Sequence, residues 1–332
     1  MKVLFIGGTG LISKAVSPAA IKRGMTLTVL NRGNNNDKLP DNVECIVGDV
    51  NDESFVSTTL KDRKFDVVVD WIAFEKKDVE RDYRLFKNIT EQYIFISSAS
   101  VYQKPVKTLP ITEKTPLENP FWEYSRNKIA CEKYLYSLND PNFNVTVVRP
   151  SHTYDETSIV FRIKSWQHPF TMLYRIINEQ PVVIPGDGNT LWTLTHHKDF
   201  AEGFLDLFGN IEAYHEDFTL TSDKTYTWNA LAKSYYKALD KAPNILHIPH
   251  AFVIKHFPEL EGELYGDNYQ DTVFDNTKIK SVAKNYKSEI EYTDVVSNIV
   301  NYYLEDTARQ TIDEAFLKRY DAMIKAYQNG DK

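Results

Sequence analysis

Short apolar runs alternate with helix-length amphipathic segments through the first half of the chain. Six runs are rich in β-branched or aromatic residues and are bounded by polar or turn residues, which predicts buried strands. They are Val3–Ile6, Thr26–Leu30, Val43–Val47, Val67–Trp71, Tyr93–Ile96 and Val145–Val148. Helices are predicted between them, for example at Leu11–Arg23, Glu53–Lys61 and Trp122–Leu138. Near-continuous apolar strands that alternate with helices indicate an α/β fold whose doubly wound parallel sheet is covered on both faces.

The pattern changes after Arg149-Pro150, where strands become shorter and aromatic, proline and histidine residues become denser. Gly186-Asp187-Gly188-Asn189 predicts a turn. Helices are predicted at Lys198–Phe208, Trp228–Leu239 and Asp294–Leu304, and again from Thr307 to the end. We therefore divide the chain into residues 1–150 and a smaller α/β lobe of residues 151–332, which sends segments back to the core.

A glycine-rich turn, Gly7-Gly8-Thr9-Gly10-Leu11-Ile12-Ser13, joins the first predicted strand to the first helix. Glycine allows a sharp turn and the close approach of a pyrophosphate, and the helix N-terminus offers free N–H groups. This context is typical of a Rossmann-type dinucleotide-binding domain, here residues 1–150. Ser13 stands where a third small glycine is usual, and serine is small enough to pack there. The residues predicted to bind the cofactor through this turn are Gly7, Thr9, Gly10, Leu11 and Ile12.

The second strand ends at Asn31-Arg32, where an acidic residue would accept hydrogen bonds from the adenosine ribose of NAD. No acid is present at these two positions, and Arg32 can pair with a 2′-phosphate, which slightly favours NADP over NAD. Alternatively, Arg32 is a solvated surface arginine and Asp37 meets the ribose. Two later loops are expected either to contact the cofactor or to serve only the packing of the loops themselves. These are Asp49-Val50 beside the adenine and Ile72-Ala73 in the cleft.

Tyr124 and Lys128 are four residues apart, which places them on one face of a helix. A tyrosine with a pKa near ~10 is a poor base at neutral pH, and a neighbouring ammonium favours its phenolate. Ser98 follows the strand Tyr93–Ile96, so its hydroxyl can hold a substrate oxygen at the edge of the sheet. We therefore predict Ser98, Tyr124 and Lys128 as the catalytic residues of an enzyme that transfers a proton and a hydride.

These motifs together resemble the extended short-chain dehydrogenases/reductases of the NAD-dependent epimerase/dehydratase group. The resemblance rests on Gly7–Ile12, Asp49, Ser97–Tyr102, Tyr124–Lys128, Arg149-Pro150 and Gly186–Ala201. It implies that Tyr124 is the acid/base, that Lys128 binds the ribose and lowers the pKa of the tyrosine, and that Ser98 orients the substrate. It also implies that Pro150 and Ser151 lie beside the nicotinamide.

The family resemblance also implies a homodimer. Its interface would be formed by the helices that begin near Asp78 and Trp122. Aromatic residues on these helices could serve such an interface, namely Tyr83, Phe86, Tyr134 and Tyr136.

Two departures from the family pattern bear on the substrate. Members that dehydrate sugars carry an Asp-Glu pair where this chain has Ala99 and Ser100, so dehydration is not expected. Members that bind nucleotide sugars carry a pyrophosphate arginine where this chain has Trp192, and arginine matches phosphate in a way that tryptophan cannot. Arg162, Lys164 or Arg175 would have to compensate. The residues predicted to contact the substrate are Ser100, His152 and Trp192.

Charge and composition exclude several classes of partner. Lys plus Arg number 39 and Asp plus Glu 46, which gives a net charge of −7, and we expect neither nucleic acid nor a membrane surface as a partner. No apolar run is long enough to span a bilayer. The chain starts with a strand rather than a signal peptide, which predicts a cytoplasmic protein.

No metal site is expected. The two cysteines, Cys45 and Cys131, have no paired spacing and are predicted to be small buried residues. His196 and His197 are neighbours on a predicted strand, so their side chains should point to opposite faces rather than share an ion.

The sequence thus predicts an NAD(P)-dependent oxidoreductase or epimerase. Its substrate would be a hydroxylated, sugar-like small molecule. The alternative is a non-catalytic nucleotide- or RNA-binding protein on the same fold, because the second half is also similar to plastid RNA-binding relatives of the family.

Overall fold

The central element of a computed structural model, which describes residues 1–330, is a seven-stranded parallel sheet in the order β10-β6-β5-β4-β1-β2-β3. A three-stranded sheet, β11-β9-β7, and a parallel pair, β12-β8, lie in the second half. The strands are β1 (Lys2–Ile6), β2 (Thr26–Asn31), β3 (Glu44–Val47), β4 (Phe65–Asp70), β5 (Thr90–Ile96), β6 (Asn144–Pro150), β7 (His152–Tyr154), β8 (Val182–Pro185), β9 (Leu191–His196), β10 (Asp217–Leu220), β11 (Thr225–Thr227) and β12 (Ile245–Ile248).

Helices connect the strands and cover both faces of the central sheet. They are α1 (Ser13–Lys22), α2 (Glu53–Thr59), α3 (Lys76–Phe86), α4 (Glu123–Ser137), α5 (Phe170–Ile177), α6 (His197–Leu205), α7 (Trp228–Ala238), α8 (His250–His256), α9 (Glu261–Glu263), α10 (Thr277–Val282), α11 (Tyr292–Leu304) and α12 (Glu314–Gln328). A π-helical turn, Leu264–Asn268, continues directly from α9.

The side chains of β1 point alternately to the two faces of the sheet, and both faces are buried. Val3 and Phe5 pack with Phe204 in one apolar cluster, whereas Leu4 and Ile6 belong to a second cluster on the opposite face. The side chains of β1 from Val3 to Ile6 are fully buried. Burying a side chain of this kind contributes ~1.5–3 kcal/mol, so a continuous apolar strand is stable only between two helical layers.

The second half has its own apolar core and also contributes to the central sheet. Its core is formed around α5, α7, α11 and α12, with Leu173, Tyr235 and Ile299 fully buried. Strand β10 returns to pair in parallel with β6 and forms one edge of the central sheet.

The predicted α/β class is confirmed, and all six predicted strands of the first half are present with ends shifted by a few residues. Two smaller expectations are wrong. Cys45 is exposed, because β3 is the edge strand of the sheet, whereas Cys131 is buried as expected. Phe86 is fully buried in the core below α3 and so cannot serve a dimer interface. Among residues 1–330, no helix has the length and apolar character needed to cross a bilayer.

Candidate active site

The glycine-rich turn between β1 and α1 forms one wall of a long cleft of about 590 Å³. Gly7 and Gly8 have φ values of 88° and 94°, a region that disfavours side chains, and a Cβ on Gly7 would meet Ile72 at 2.8 Å. Ser13 replaces the third glycine without filling the cleft, because its buried hydroxyl accepts a hydrogen bond from the Gly10 amide at 2.9 Å.

The amides of this turn fit the phosphates of a dinucleotide. Within residues 1–330, the N–H groups of Leu11 and Ile12 donate no hydrogen bond, although both residues line the cleft just before α1. Free N–H groups at the start of a ten-residue helix provide partial positive charge for an anion. The turn therefore offers what a pyrophosphate needs.

The loop after β4 forms the facing wall. Asp70 is buried at the end of this strand, and its Oδ1 accepts hydrogen bonds from the amides of Ile72 and Ala73. These two hydrogen bonds fix the loop so that the Ile72 side chain, which is 43% exposed, lines the cleft. Ala73 is placed differently from the prediction: it is buried, does not line the cleft, and uses its carbonyl to hold Lys128.

A continuation of the cleft, of about 380 Å³, lies beyond the end of β2. Its lining includes the predicted residues Asn31, Arg32, Asp49 and Val50. Arg32 is exposed and makes no hydrogen bond or ion pair in the part of the chain that the structure describes. Asp37 does not line this space.

Asn31 closes the loop that follows β2. Its side chain is occupied, donating to Asn36 at 2.7 Å and accepting from the Gly33 amide at 2.7 Å. Asp49 Oδ1 likewise accepts from the Asn51 amide at 2.9 Å, so among the predicted positions of this region Arg32 has the unoccupied polar side chain within residues 1–330.

Tyr124 and Lys128 lie on one face of α4, as their spacing predicts, and both line the large cleft. The ammonium of Lys128 is buried and donates to the carbonyls of Ala73 at 2.7 Å and Ile96 at 2.8 Å. Burial lowers the pKa of Lys128 to about 8. Burial raises the pKa of Tyr124 to about 12, and the adjacent Ser98 hydroxyl partly opposes that shift.

The Ser98 hydroxyl is held in place by a series of hydrogen-bonded serine hydroxyl groups. The Ser98 and Ser100 oxygens are 2.9 Å apart, and Ser125 donates to Ser100 at 2.8 Å. Asn119, which the sequence did not single out, donates to the Ser100 carbonyl at 2.8 Å and to the Gly266 carbonyl at 2.6 Å. It therefore ties the serine loop to the π-helical turn of the second half.

A second cavity of about 280 Å³ adjoins the cleft and shares Ser98, Tyr124, Pro150 and Ser151 with it. All three residues predicted to contact the substrate line this cavity, namely Ser100, His152 and Trp192. Burial lowers the pKa of His152 to about 3, so this imidazole is neutral near pH 7. The geometry thus places Ser98, Tyr124 and the three predicted substrate residues around one space, while Lys128 lines only the adjoining cleft.

Several residues of the cavity were not predicted from the sequence. They are Trp122, Thr193, Glu263, Asp267, Thr272 and Phe274. Phe74 and Asn35 were likewise missed in the cofactor cleft. Glu263 and Asp267 come from α9 and the π-helical turn, far along the chain from Tyr124. The one local indication that this segment approaches another part of the chain closely is the pair Gly262 and Gly266, which lies against Trp122.

His196 and His197 do not point to opposite faces, contrary to expectation. β9 ends at His196 and α6 begins at His197, so the turn brings the two rings to a centroid distance of 4.8 Å. With Glu156 they form a group whose possible ligand atoms lie within 4.8 Å of one another.

Two contacts disfavour a metal at this group. His196 Nδ1 accepts from the Lys198 amide, which leaves the proton on Nε2, and the Lys198 ammonium pairs with Glu156. The expectation that no metal is bound stays a prediction.

The sequence profile of the NAD dependent epimerase/dehydratase family matches residues 3–218. The chloroplast stem-loop binding protein of 41 kDa b from Arabidopsis thaliana is 30% identical over 260 residues, which cover 74% of this chain and 65% of that protein. A UDP-glucose 4-epimerase from Lactobacillus helveticus is 31% identical over 154 residues, which cover 41% of this chain and 46% of that enzyme. The chain thus spans less than two thirds of the length of these curated relatives.

Among solved structures, the UDP-glucuronic acid 4-epimerase from Bacillus cereus in complex with UDP-glucuronic acid and NAD superimposes with a TM-score of 0.72. The two chains are 15% identical, and the match covers 91% of this chain and 98% of that one. At this level of identity the likeness shows the fold.

Proposed function

We propose that this chain, which belongs to the NAD dependent epimerase/dehydratase family, is an NAD(P)-dependent oxidoreductase or epimerase of the extended short-chain dehydrogenase type. Its substrate would be a hydroxylated, sugar-like molecule. One observation carries the proposal: Ser98 and Tyr124 line both the dinucleotide-sized cleft and the adjoining cavity, so both groups can reach a substrate beside a cofactor.

Each catalytic role follows from the environment of its side chain. Tyr124 would exchange a proton with the substrate hydroxyl, while the Ser98 hydroxyl holds the same oxygen by a hydrogen bond. Lys128 uses two of its three N–H bonds on backbone carbonyls, which leaves one for a ribose hydroxyl. A nicotinamide cofactor would supply hydride transfer, and the free amides of Leu11 and Ile12 would hold its phosphates.

Cofactor choice is the finer part of the proposal. The matched B. cereus enzyme binds NAD. In this chain no acid stands at Asn31 or Arg32, Asp37 lies away from the cleft, and Arg32 has a free guanidinium on the cleft wall. These features support a slight preference for NADP over NAD, since arginine can pair with the 2′-phosphate.

The alternative function, a non-catalytic nucleotide- or RNA-binding protein, has one point in its favour, the identity with the Arabidopsis stem-loop binding protein. The net charge of −7 argues against a nucleic-acid partner, because phosphate contacts dominate such binding. The complete set of Ser98, Tyr124 and Lys128 around a cavity argues for catalysis.

The test begins with a screen of sugars, sugar acids and nucleotide sugars with NAD⁺ and NADP⁺, in which reduced-cofactor absorbance detects oxidation and analysis of the sugar products detects epimerisation. We expect Tyr124→Phe to lower turnover of any active substrate by ~10²–10⁴-fold while dinucleotide affinity is unchanged. Tyr134→Phe, on the same helix but outside both spaces, is the matched control. Turnover of Tyr124→Phe within threefold of the wild type would refute the acid/base role.

Two further aspects are part of the proposal. We expect a homodimer through α3 and α4, to which Tyr83, Tyr134 and Tyr136 remain available because none of them is fully buried. We also expect a cytoplasmic location, which fits two cysteines that form no disulfide. Residues 1–150 would bind the dinucleotide, and residues 151–332 would mainly bind the substrate.

A further inference from the structure

The charged groups in the wall of the 280 Å³ cavity are both acidic, which is unusual for a site expected to bind a nucleotide sugar. Glu263 and Asp267 line this space, and within residues 1–330 no lysine or arginine does. Arginine and lysine are the residues that bind phosphate, and like charges placed against a diphosphate oppose its binding. The wall therefore disfavours a pyrophosphate.

Three basic residues, Lys104, Lys164 and Arg162, lie near the cavity but do not line it. Lys104 faces Asp267, with its Nζ 3.9 Å from Oδ1. Lys164 donates to the Ile159 carbonyl at 2.7 Å and lies over the Trp166 ring.

Arg162 is also kept from the cavity. It is buried against the Trp228 ring at 3.7 Å, on which it stacks, and it also lies near Trp192. None of the three cations lines the cavity, although Nε and Nη1 of the buried Arg162 have no hydrogen-bond partner within residues 1–330.

The two acids are placed at the cavity by the backbone. A Cβ on Gly262 or Gly266 would come within 2.7 Å or 2.6 Å of Trp122, so only glycine at both positions lets α9 and the π-helical turn approach this closely. Asp267 accepts no hydrogen bond on its carboxyl group in the described part of the chain, and about a fifth of its side chain is exposed. Such a carboxyl group is available to a ligand.

The rest of the wall suits a sugar ring. Three of the five tryptophans of the chain, Trp122, Trp166 and Trp192, line the cavity. The Trp192 indole N–H is buried and has no hydrogen-bond partner among residues 1–330. Ligand sites combine such apolar walls with a few polar groups that fix orientation, and 280 Å³ lies near the small end of their size range, ~300–1,000 Å³.

We propose that the cavity binds a sugar that carries no phosphate, without a nucleoside diphosphate carrier. Glu263 and Asp267 accept hydrogen bonds from its hydroxyl or ammonium groups, Trp192 donates one, and Trp122 and Trp166 pack against its C–H faces. This inference deepens the proposed function and rests on it for the reaction itself. Burial raises the pKa of Asp267 to about 6, which also lets its carboxyl group donate a hydrogen bond in mildly acidic solution.

Tryptophan fluorescence tests the proposal directly, because most tryptophans lie at the cavity. The protein saturated with NAD⁺ or NADP⁺ is titrated with D-glucose, D-galactose, D-glucosamine, UDP-glucose and UDP. We expect saturable quenching by at least one free sugar and no competition by UDP. Asp267→Asn and Glu263→Gln should each weaken sugar binding by ~10-fold or more, the loss typical of a hydrogen bond to a charged group.

Matched variants separate binding from folding. Trp166 is 64% exposed, so Trp166→Ala should fold normally yet lose sugar affinity. Two control variants should bind as the wild type does, namely Phe121→Ala, at a 45% exposed aromatic residue outside the cavity, and Glu261→Gln, two residues before Glu263.

The possible outcomes distinguish this proposal from the proposed function. Tighter binding of UDP-glucose than of every free sugar, or sugar affinity unchanged in all three cavity variants, would overturn the free-sugar proposal. Turnover of nucleotide sugars alone would overturn it as well and leave the proposed function intact. Free-sugar binding with neither cofactor reduction nor epimerisation of any sugar would uphold this site and refute the proposed function.

Discussion

We expect removal of the Arg32 guanidinium to abolish the proposed preference for NADPH over NADH. The side chain lines the adenosine end of the cleft with no competing partner, and no acid of the β2 loop faces the same space. A charge-assisted hydrogen bond contributes ~1.5–3 kcal/mol, but Arg32 is exposed and solvent screens the interaction. We therefore expect a preference of ~1–1.5 kcal/mol, which corresponds to about a 5- to 12-fold difference in affinity.

Calorimetric titration of both reduced cofactors measures this difference. In Arg32→Ala we expect NADPH affinity to fall to that of NADH, while NADH affinity stays unchanged. Lys38→Ala removes one positive charge from the same loop without altering the cleft wall, so it should keep most of the preference. Equal affinities in the wild type, or a preference that survives in Arg32→Ala, would show that this arginine does not contact the phosphate.

Three other outcomes follow from the structure. Glu132→Gln should destabilise the protein by ~3–5 kcal/mol in urea unfolding, because it leaves the buried guanidinium of Arg149 without its main counterion; a loss below 1 kcal/mol would contradict this. Burial lowers the pKa of Lys128 from 10.5 to about 8 in the folded protein, so the unfolded chain binds more protons between these values and stability should rise with pH there. The wild type should gain ~2 kcal/mol relative to Lys128→Met from pH 8 to about 10, and parallel stability curves would refute this. Light scattering at tens of micromolar should give a dimer mass, and a monomer mass would end the dimer proposal.

The sequence predicted most of the central sheet because its inner strands are buried on both faces. Such strands are continuous apolar runs, and the glycine turn and the spacing of Tyr124 and Lys128 are local in the chain. Both kinds of signal can be seen in a single sequence. Most residues predicted to bind the cofactor therefore line the cleft, whereas Ala73 does not, and Asn35 and Phe74 line it without having been predicted.

The substrate cavity was predicted less completely because its wall is assembled from distant segments. Asp267 meets the region of Tyr124 only after the second half has folded back over α4, and no local pattern marks it. The histidine pair shows a different limit: a strand pattern predicts opposite faces, but the change from β9 to α6 occurs between the two residues. Contacts set by tertiary packing, rather than by periodicity, account for both errors.

A buried ion network below the serines explains how the site keeps its geometry. Arg149, at the end of β6, donates from Nε to Glu132 of α4 at 3.0 Å and from Nη1 to the Tyr102 hydroxyl at 3.0 Å, and it pairs with Asp217 of β10. The Ser97 hydroxyl also donates to Glu132.

This network joins four elements, two of which, β5 and α4, position the predicted catalytic residues. Ser97 precedes Ser98, Glu132 is one turn beyond Lys128, and Arg149 precedes Pro150. Because buried charges are costly unless each is paired, the network is satisfied only when β5, α4, β6 and β10 are all in register. The same requirement that stabilises the core therefore fixes the positions of the serine, tyrosine and lysine before any ligand binds, which is the preorganisation that proton transfer needs.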